Sequence, residues 1–440
     1  MNATTEKPDR SLRRAITGPM LFLFILGDVL GAGVYALAGT IAGEVGGAIW
    51  VPLLIALFFA MLTAGSYAEL VTKYPHAGGA AVYAGKAYTS PLISFLVGFC
   101  MLAAGVTSAA GLSLAFAGDY LAAFVDVSPH WAALAFLIVI GLLNARGIKE
   151  SLGANLVMTC IELSGLILVV VAAVWFFGTG EAQPSRALEF KPGVSPALAV
   201  LGAALIAFYS FVGFETSANL AEEIRDVRKI YPRALFGSLL VAGVIYMAVG
   251  VAAAAVLPVD RLTASSAPLL EVVRASGLGI PPQLFAFIAL IAVANGALLT
   301  MIMASRLTYG MAHQGLLPHV LGNVLSGRRT PWVAIVGTTL VAIALTLTGT
   351  LAVLAETVVL LLLFVFISTN LAVLVLRRDH VEEKHFRVPT WVPVLAILSC
   401  LVLLTQQSAE TWLRAGALIV VGVVLYGLTR LGKSAVALDS

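Results

Sequence analysis

The sequence predicts an all-α integral membrane protein of twelve transmembrane helices. Three observations predict it. First, 60% of the 440 residues are hydrophobic, only 11% are charged, and the mean hydropathy is +1.00; a soluble domain carries roughly 25% charged residues. Second, apolar runs of membrane-spanning length recur along the chain. Third, lysine and arginine gather in alternate loops. The first two exclude a soluble enzyme, a nucleic-acid binder and a disordered chain, because the polar residues are too few to cover a water-soluble fold.

A helix needs about 20 apolar residues to cross the hydrocarbon core. Such runs fall near 17–42, 48–72, 90–118, 131–145, 153–177, 196–221, 233–257, 283–305, 331–349, 351–376, 391–407 and 411–430. The fourth is short, and the last two also read as a hairpin. No run alternates in polarity as the strands of a membrane barrel do. With the N-terminus inside, 21 of the 26 basic residues fall on the cytoplasmic side, and Arg186, Lys191, Arg261, Arg274 and Arg414 fall outside. Cytoplasmic loops carry this excess, so both termini are expected in the cytoplasm of a multi-pass cell-membrane protein, as tails over 1–15 and 432–440. The first fourteen residues are polar and basic, and the first apolar run is too long for a cleaved signal peptide. Cys100, Cys160 and Cys400 each lie in an apolar run and read as small buried hydrophobes.

Two spans carry helix-breaking segments. Span one contains Gly27-Asp28-Val29-Leu30-Gly31-Ala32-Gly33-Val34-Tyr35, and span six contains Phe208-Tyr209-Ser210-Phe211-Val212-Gly213-Phe214-Glu215. Glycine weakens a helix by about 1 kcal/mol relative to alanine, and unpaired backbone at membrane depth must line a cavity. Gly27 with Gly31, and Gly39 with Gly43, also form G-x-x-x-G pairs suited to close packing, so the first break alone reads either way. Two breaks five spans apart lie in helices of opposite direction, the mark of an inverted-repeat transporter with substrate between the repeats. The outer half of span one begins after Gly31 to Gly33, and its free N–H groups suit a carboxylate. The first half of span six ends near Phe211, and its last carbonyls suit an ammonium group. The pair describes an α-amino acid. Phe208 and Phe211 read as an apolar lid or as core packing.

These residues resemble a known family. Gly31-Ala32-Gly33-Val34 resembles the Gly-x-Gly-Ile/Val signature of the amino acid–polyamine–organocation permeases. Ser66-Tyr67-Ala68-Glu69-Leu70 with Tyr74-Pro75-His76-Ala77-Gly78-Gly79 resembles the family's second helix and loop. Phe211 to Glu215, with Asn219-Leu220-Ala221-Glu222-Glu223 and Pro232-Arg233-Ala234, resembles its sixth helix and loop. Ser305-Arg306-Leu307-Thr308-Tyr309-Gly310-Met311 with Leu317-Pro318 resembles the end of its eighth. The resemblance implies a leucine-transporter-type fold: a 5+5 inverted repeat over 16–178 and 195–377, with two peripheral helices in 388–431. It implies transport of amino acids or amines by alternating access, without a cofactor. Gly31, Ala32, Gly33 and Val34 would then contact the substrate carboxylate. Phe208, Tyr209, Ser210 and Phe211, with Gly213 in the same stretch, would supply carbonyls for the amine and an aromatic gate. Asn295 would line the pocket.

Ionisable residues inside spans are costly, so each is a functional candidate. Asp28, just before the first break, reads as a coupling group for a proton or other ion, or as an acceptor for unwound amides. Glu162 stands near where several family members carry a coupling lysine. As a carboxylate it reads as a proton carrier, a cation ligand, or a partner of Asn155 or another helix. Glu215 reads as a cap on the inner half of span six. Glu69, and Glu222 and Glu223 beside Arg225, Arg228 and Lys229, read as gate or loop electrostatics. Glu356 reads as reaching water.

Gly427 to Ser434 fits the phosphate-loop pattern but lacks the strand before and the helix after that the motif needs. Energy is therefore expected from a gradient or from exchange. The six histidines, at loops and span ends, show no metal-ligand spacing. No cysteine lies between spans three and four, where the resemblance would place a disulfide to a glycoprotein partner, so that partner is not expected. Two alternatives stand beside an amino acid carrier. A polyamine or organic-cation carrier would need more pocket carboxylates than Asp28 and Glu162. A substrate-sensing receptor on a transporter fold would be supported by a long tail. An enzyme finds no motif.

Overall fold

The protein, in a computed structural model, is described over residues 16–76, 78–146, 151–325 and 330–438. Span one is two helices, α1 (Gly18–Leu30) and α2 (Ala32–Val45), bent by 41° at Gly31. There follow α3 (Trp50–Lys73), α4 (Gly79–Tyr88), α5 (Pro91–Ala117), the single turn α6 (Asp119–Ala122), α7 (Pro129–Arg146) and α8 (Ser151–Gly178). Span six is α9 (Pro196–Tyr209), a turn, and the 3₁₀ segment Phe214–Glu223. Then come α10 (Val227–Val256), the short α11 (Val259–Thr263) and α12 (Pro268–Ala275), and α13 (Pro282–His313). The chain closes with α14 (Trp332–Thr346), α15 (Leu351–Leu376), α16 (Trp391–Thr405) and α17 (Ala409–Leu438).

Among the described residues nine helices are long and apolar enough to cross a membrane, and the bent α1–α2 pair makes ten. The shorter apolar α14 and α16, 15 residues each, stand where spans nine and eleven were predicted. This is a multi-pass integral membrane protein. Proline opens α5, α7, α9, α12 and α13, where its missing N–H costs nothing. The α3, α5 and α15 helices are buried on most sides, while α7 and α17 present much of their surface outward. Small residues let the inner helices approach: Gly105 of α5 faces Ala304 of α13.

Some sequence expectations shift. The α10 helix starts at Val227 and α13 runs on to His313, beyond the predicted 233–257 and 283–305. Hydropathy marks only the lipid-embedded part of a helix, and backbone bonds continue past it. Cys160 is exposed beside the outward-facing Val157, whereas Cys100 and Cys400 are buried. Glu356 does not simply reach water; its carboxylate accepts from the Thr411 hydroxyl at 2.9 Å. Gly427 to Ser434 lies inside α17 as helix. Of the basic residues in the charge count, Lys7, Arg10, Arg13, Arg14, Lys149, Arg328 and Arg329, with the side chains of Arg430 and Lys433, lie outside the described residues.

The two broken spans run antiparallel and are stitched along their length. At one end the Ile16 N–H donates to the Glu223 carbonyl and the Arg225 N–H to the Ile16 carbonyl, both at 3.0 Å. Further along, Thr216 donates to the Asp28 carboxylate, and Gly33 lies against Ser210. As one residue number rises the other falls.

A second cluster ties α3 to α15. Arg377 donates to both oxygens of Glu69, at 2.8 and 2.7 Å, and the Val388 N–H adds a third bond at 3.0 Å. Lys73 Nζ donates to the Leu376 and Asp379 carbonyls, at 2.5 Å each, where a helix C-terminus attracts a cation. The Tyr74 hydroxyl donates to Asp379. Arg228 pairs with Glu383, and Glu222 lies 3.6 Å from His76. Glu69 and Arg228 thus bind the connector between α15 and α16.

Candidate functional site

The predicted site residues converge where the two broken spans cross. In span one only Gly31 leaves the helix, and α2 resumes at Ala32, whose side chain lies outside the described residues. The break is tighter than the Gly31-to-Gly33 stretch the sequence suggested. Gly33 serves a different need: a Cβ there would lie 2.8 Å from Ser210 Cα, so glycine is what lets the two backbones meet. Val34 is buried in the first turn of α2. The N–H groups of that turn stand at a helix start, where donors lack intrahelical partners, and among the described residues no side chain caps it.

In span six α9 ends at Tyr209, two residues before the expected Phe211. Ser210, Phe211 and Val212 donate their N–H groups to the carbonyls of Ala207, Phe208 and Tyr209, at 3.0, 3.0 and 3.1 Å. These tight turn bonds leave each carbonyl one lone pair for a further donor. Gly213 adopts φ +123, a conformation that favours glycine, and a Cβ on it would lie 2.8 Å from the Asp28 carbonyl oxygen. Glu215 acts as the sequence suggested, accepting from the Gly213 N–H at 2.9 Å.

The aromatic residues are packed rather than open. Phe208 meets Phe366 of α15 edge-on at 6.0 Å, and Phe366 stacks on Phe214 at 5.6 Å. Tyr67 of α3 stands edge-on to both Phe214 and Phe366. Phe211 meets Tyr246 of α10 at 5.3 Å. The Tyr209 and Ser108 hydroxyls lie 2.9 Å apart. The Ser210 hydroxyl is buried beside Gly33 and has no hydrogen-bond partner among the described residues.

The intramembrane carboxylates surround this crossing. Asp28 is held by Thr216. Glu162 of α8, fully buried, accepts from Asn295 Nδ2 at 2.9 Å through Oε1, while its Oε2 has no partner among the described residues. Asn295 also donates to Asn155 Oδ1 at 3.2 Å. The Tyr35 hydroxyl donates to the Glu162 backbone carbonyl at 2.6 Å. Among the described residues no ion pair reaches Asp28 or Glu162, and no group of His, Cys, Asp and Glu could hold a metal ion.

Sequence reasoning missed Tyr246 and Thr216. The Tyr246 hydroxyl donates to the carbonyls of Val29 and Leu30, at 2.6 and 3.0 Å, and so closes the end of α1. A tyrosine deep in an apolar span needs a partner for its hydroxyl, and that was the available signal. Two apolar grooves lie elsewhere, one beside Trp50, Val170 and Met247 and one beside Phe116 and Trp131. They have the lining of lipid-facing surface, and the polar chemistry lies at the crossing instead.

The sequence matches the amino acid permease family over residues 16–425. It is 26% identical to the methylthioribose transporter of Bacillus subtilis, over 97% of this chain and 95% of that one. It is 25% identical to the branched-chain amino acid permease BcaP of the same organism, over 96% and 94%. It is 30% identical to the vacuolar cationic amino acid transporter 2 of Arabidopsis thaliana, over 87% and 63%. The fold is shared with the crystal structure of a mutant of the Eremococcus coleocola manganese transporter, at a TM-score of 0.60 and 14% identity over 98% and 97% of the two chains. The chain belongs to the amino acid permease family.

Proposed function

We propose that this permease is a secondary active transporter of amino acids, working by alternating access from a site between its two broken spans. One observation carries the reading: two antiparallel helices break at the same place, with Gly33 against Ser210. At that crossing the free N–H groups of α2 would receive the substrate carboxylate. The carbonyls after Phe208 would receive its amine. The unpartnered Ser210 hydroxyl adds a polar contact.

The reading includes the finer architecture. Twelve spans form a 5+5 inverted repeat over 16–178 and 195–377, with two peripheral helices. Both termini lie in the cytoplasm of a cell-membrane protein, as the asymmetry of basic residues favours. Coupling is by proton symport or by exchange, with Glu162 and Asp28 as the coupling groups, because the first is a buried and the second a half-buried carboxylate, each without a cationic partner among the described residues.

The test is uptake into proteoliposomes of a radiolabelled mixture of the proteinogenic amino acids, with and without an inward proton gradient. Uptake should exceed that of empty liposomes, rise with the gradient, and fall when unlabelled amino acids compete. Uptake no greater than in empty liposomes, or suppressed by methylthioribose but not by amino acids, would overturn the assignment.

A further inference from the structure

The polar residues of α8 form a stripe inside an otherwise apolar span. Asn155, Thr159 and Glu162 recur at helical spacing and are all buried, so they share one face. Thr159 donates to the Asn155 carbonyl at 2.8 Å and packs against Gly27 of α1. Across the interface stands Asn295 of α13. A side-chain amide offers two hydrogens on one nitrogen. Asn295 directs that nitrogen at Asn155 Oδ1 and at Glu162 Oε1, 3.2 and 2.9 Å away. The carboxylate is therefore anchored through one oxygen, while the other has no partner among the described residues.

We infer that Asn295, oriented by Asn155, is a positioning residue that anchors Glu162 through Oε1 and keeps Oε2 free as the atom that takes up and releases the coupled proton. The inference deepens the coupling role proposed for Glu162 and rests on it. It also moves Asn295 from the substrate pocket, where the family resemblance places it, to the coupling group.

The surroundings are consistent with this division. From α1 the Asp28 carboxylate lies within electrostatic reach of Glu162. From α2 Tyr35 holds the Glu162 backbone carbonyl, and from α10 Tyr246 lies within electrostatic reach. The α12 helix also packs on α8, but its Glu271 is engaged by Arg261 and Arg274. No described cation pairs with Glu162. Among the described residues its carboxylate takes a hydrogen bond from Asn295 alone, so losing that donor acts directly on protonation.

The experiment measures amino acid uptake against pH in proteoliposomes for the wild type, Glu162→Gln, Asn295→Leu and the double variant. Glu162→Gln should flatten the profile. Asn295→Leu should move its midpoint to higher pH by ~1 unit, and should have no further effect on pH dependence in the Glu162→Gln background. Should Asn295→Leu fail to elute as a folded species in detergent, Asn155→Leu replaces it and should move the midpoint in the same direction by less. A flat Glu162→Gln profile beside an unshifted asparagine variant overturns this inference and leaves the coupling reading standing. A wild-type profile in Glu162→Gln overturns both.

Discussion

A methyl group on Gly33 would lie 2.8 Å from the Cα of Ser210. That contact joins the start of α2 to the turn after α9, and it is backbone on backbone, so no side chain can rotate to relieve it. Replacing Gly33 by alanine should push the two breaks apart at a cost of about 1–3 kcal/mol. Uptake should fall at least ~10-fold. Gly202→Ala, within α9, is the control, because a Cβ there would meet nothing within 4 Å. Parallel uptake and thermal-melting measurements on the two variants check this; equal losses would contradict it.

Tyr246→Phe keeps the ring against Phe211 and removes the hydroxyl that meets the Val29 and Leu30 carbonyls. The loss should cost about 1–2 kcal/mol of stability. Uptake should fall more than stability, since the end of α1 is the wall of the break. Comparing melting midpoint with initial uptake rate decides it.

Glu69 is 2% exposed and takes both Arg377 bonds and the Val388 N–H. Removing one partner strands a buried charge, so Glu69→Gln and Arg377→Met should each destabilise by about 3–5 kcal/mol. The double variant Glu69→Leu with Arg377→Met should recover much of the loss. Thermal aggregation onset in detergent reads all three.

His385, in the connector before α16, is held below the usual histidine range by burial, then by Lys73, Arg387 and Arg228, with Glu69 opposing. Its neutral form is favoured in the folded protein. The unfolded chain therefore binds more protons in the window below ~6.5. This contribution is fully present above that pH and is lost as pH falls toward the lowered folded value. Melting temperature should decline on acidification from pH ~7 to ~5, and the decline should be shallower in His385→Gln. Equal slopes would remove His385 from the response.

Much of the candidate site is legible in the sequence because its signals are local. The glycines of span one, Gly213 in span six and the carboxylates Asp28, Glu162 and Glu215 are conspicuous in apolar runs. A local signal misleads where it has two causes. Gly33 looked like part of an unwound stretch, whereas it is helical and small for the sake of Ser210. The α9 helix stopped early because its last carbonyls closed tight turns that composition does not encode. Glu356 looked solvated because its partner, Thr411, is 55 residues away.

From residue order alone follow the lipid solvent, the helical class and the interruption of two spans, because hydropathy and glycine act through the chain's own neighbours. Tertiary structure decided which groups meet. Asn295 finds Glu162 across 133 residues and Tyr246 finds Val29 across 217. Helices apolar on nearly every side carry little periodic signal for their rotation. Rotation and depth therefore emerge only when the whole bundle packs, and it is they that set which oxygen of a buried carboxylate is held and which is free.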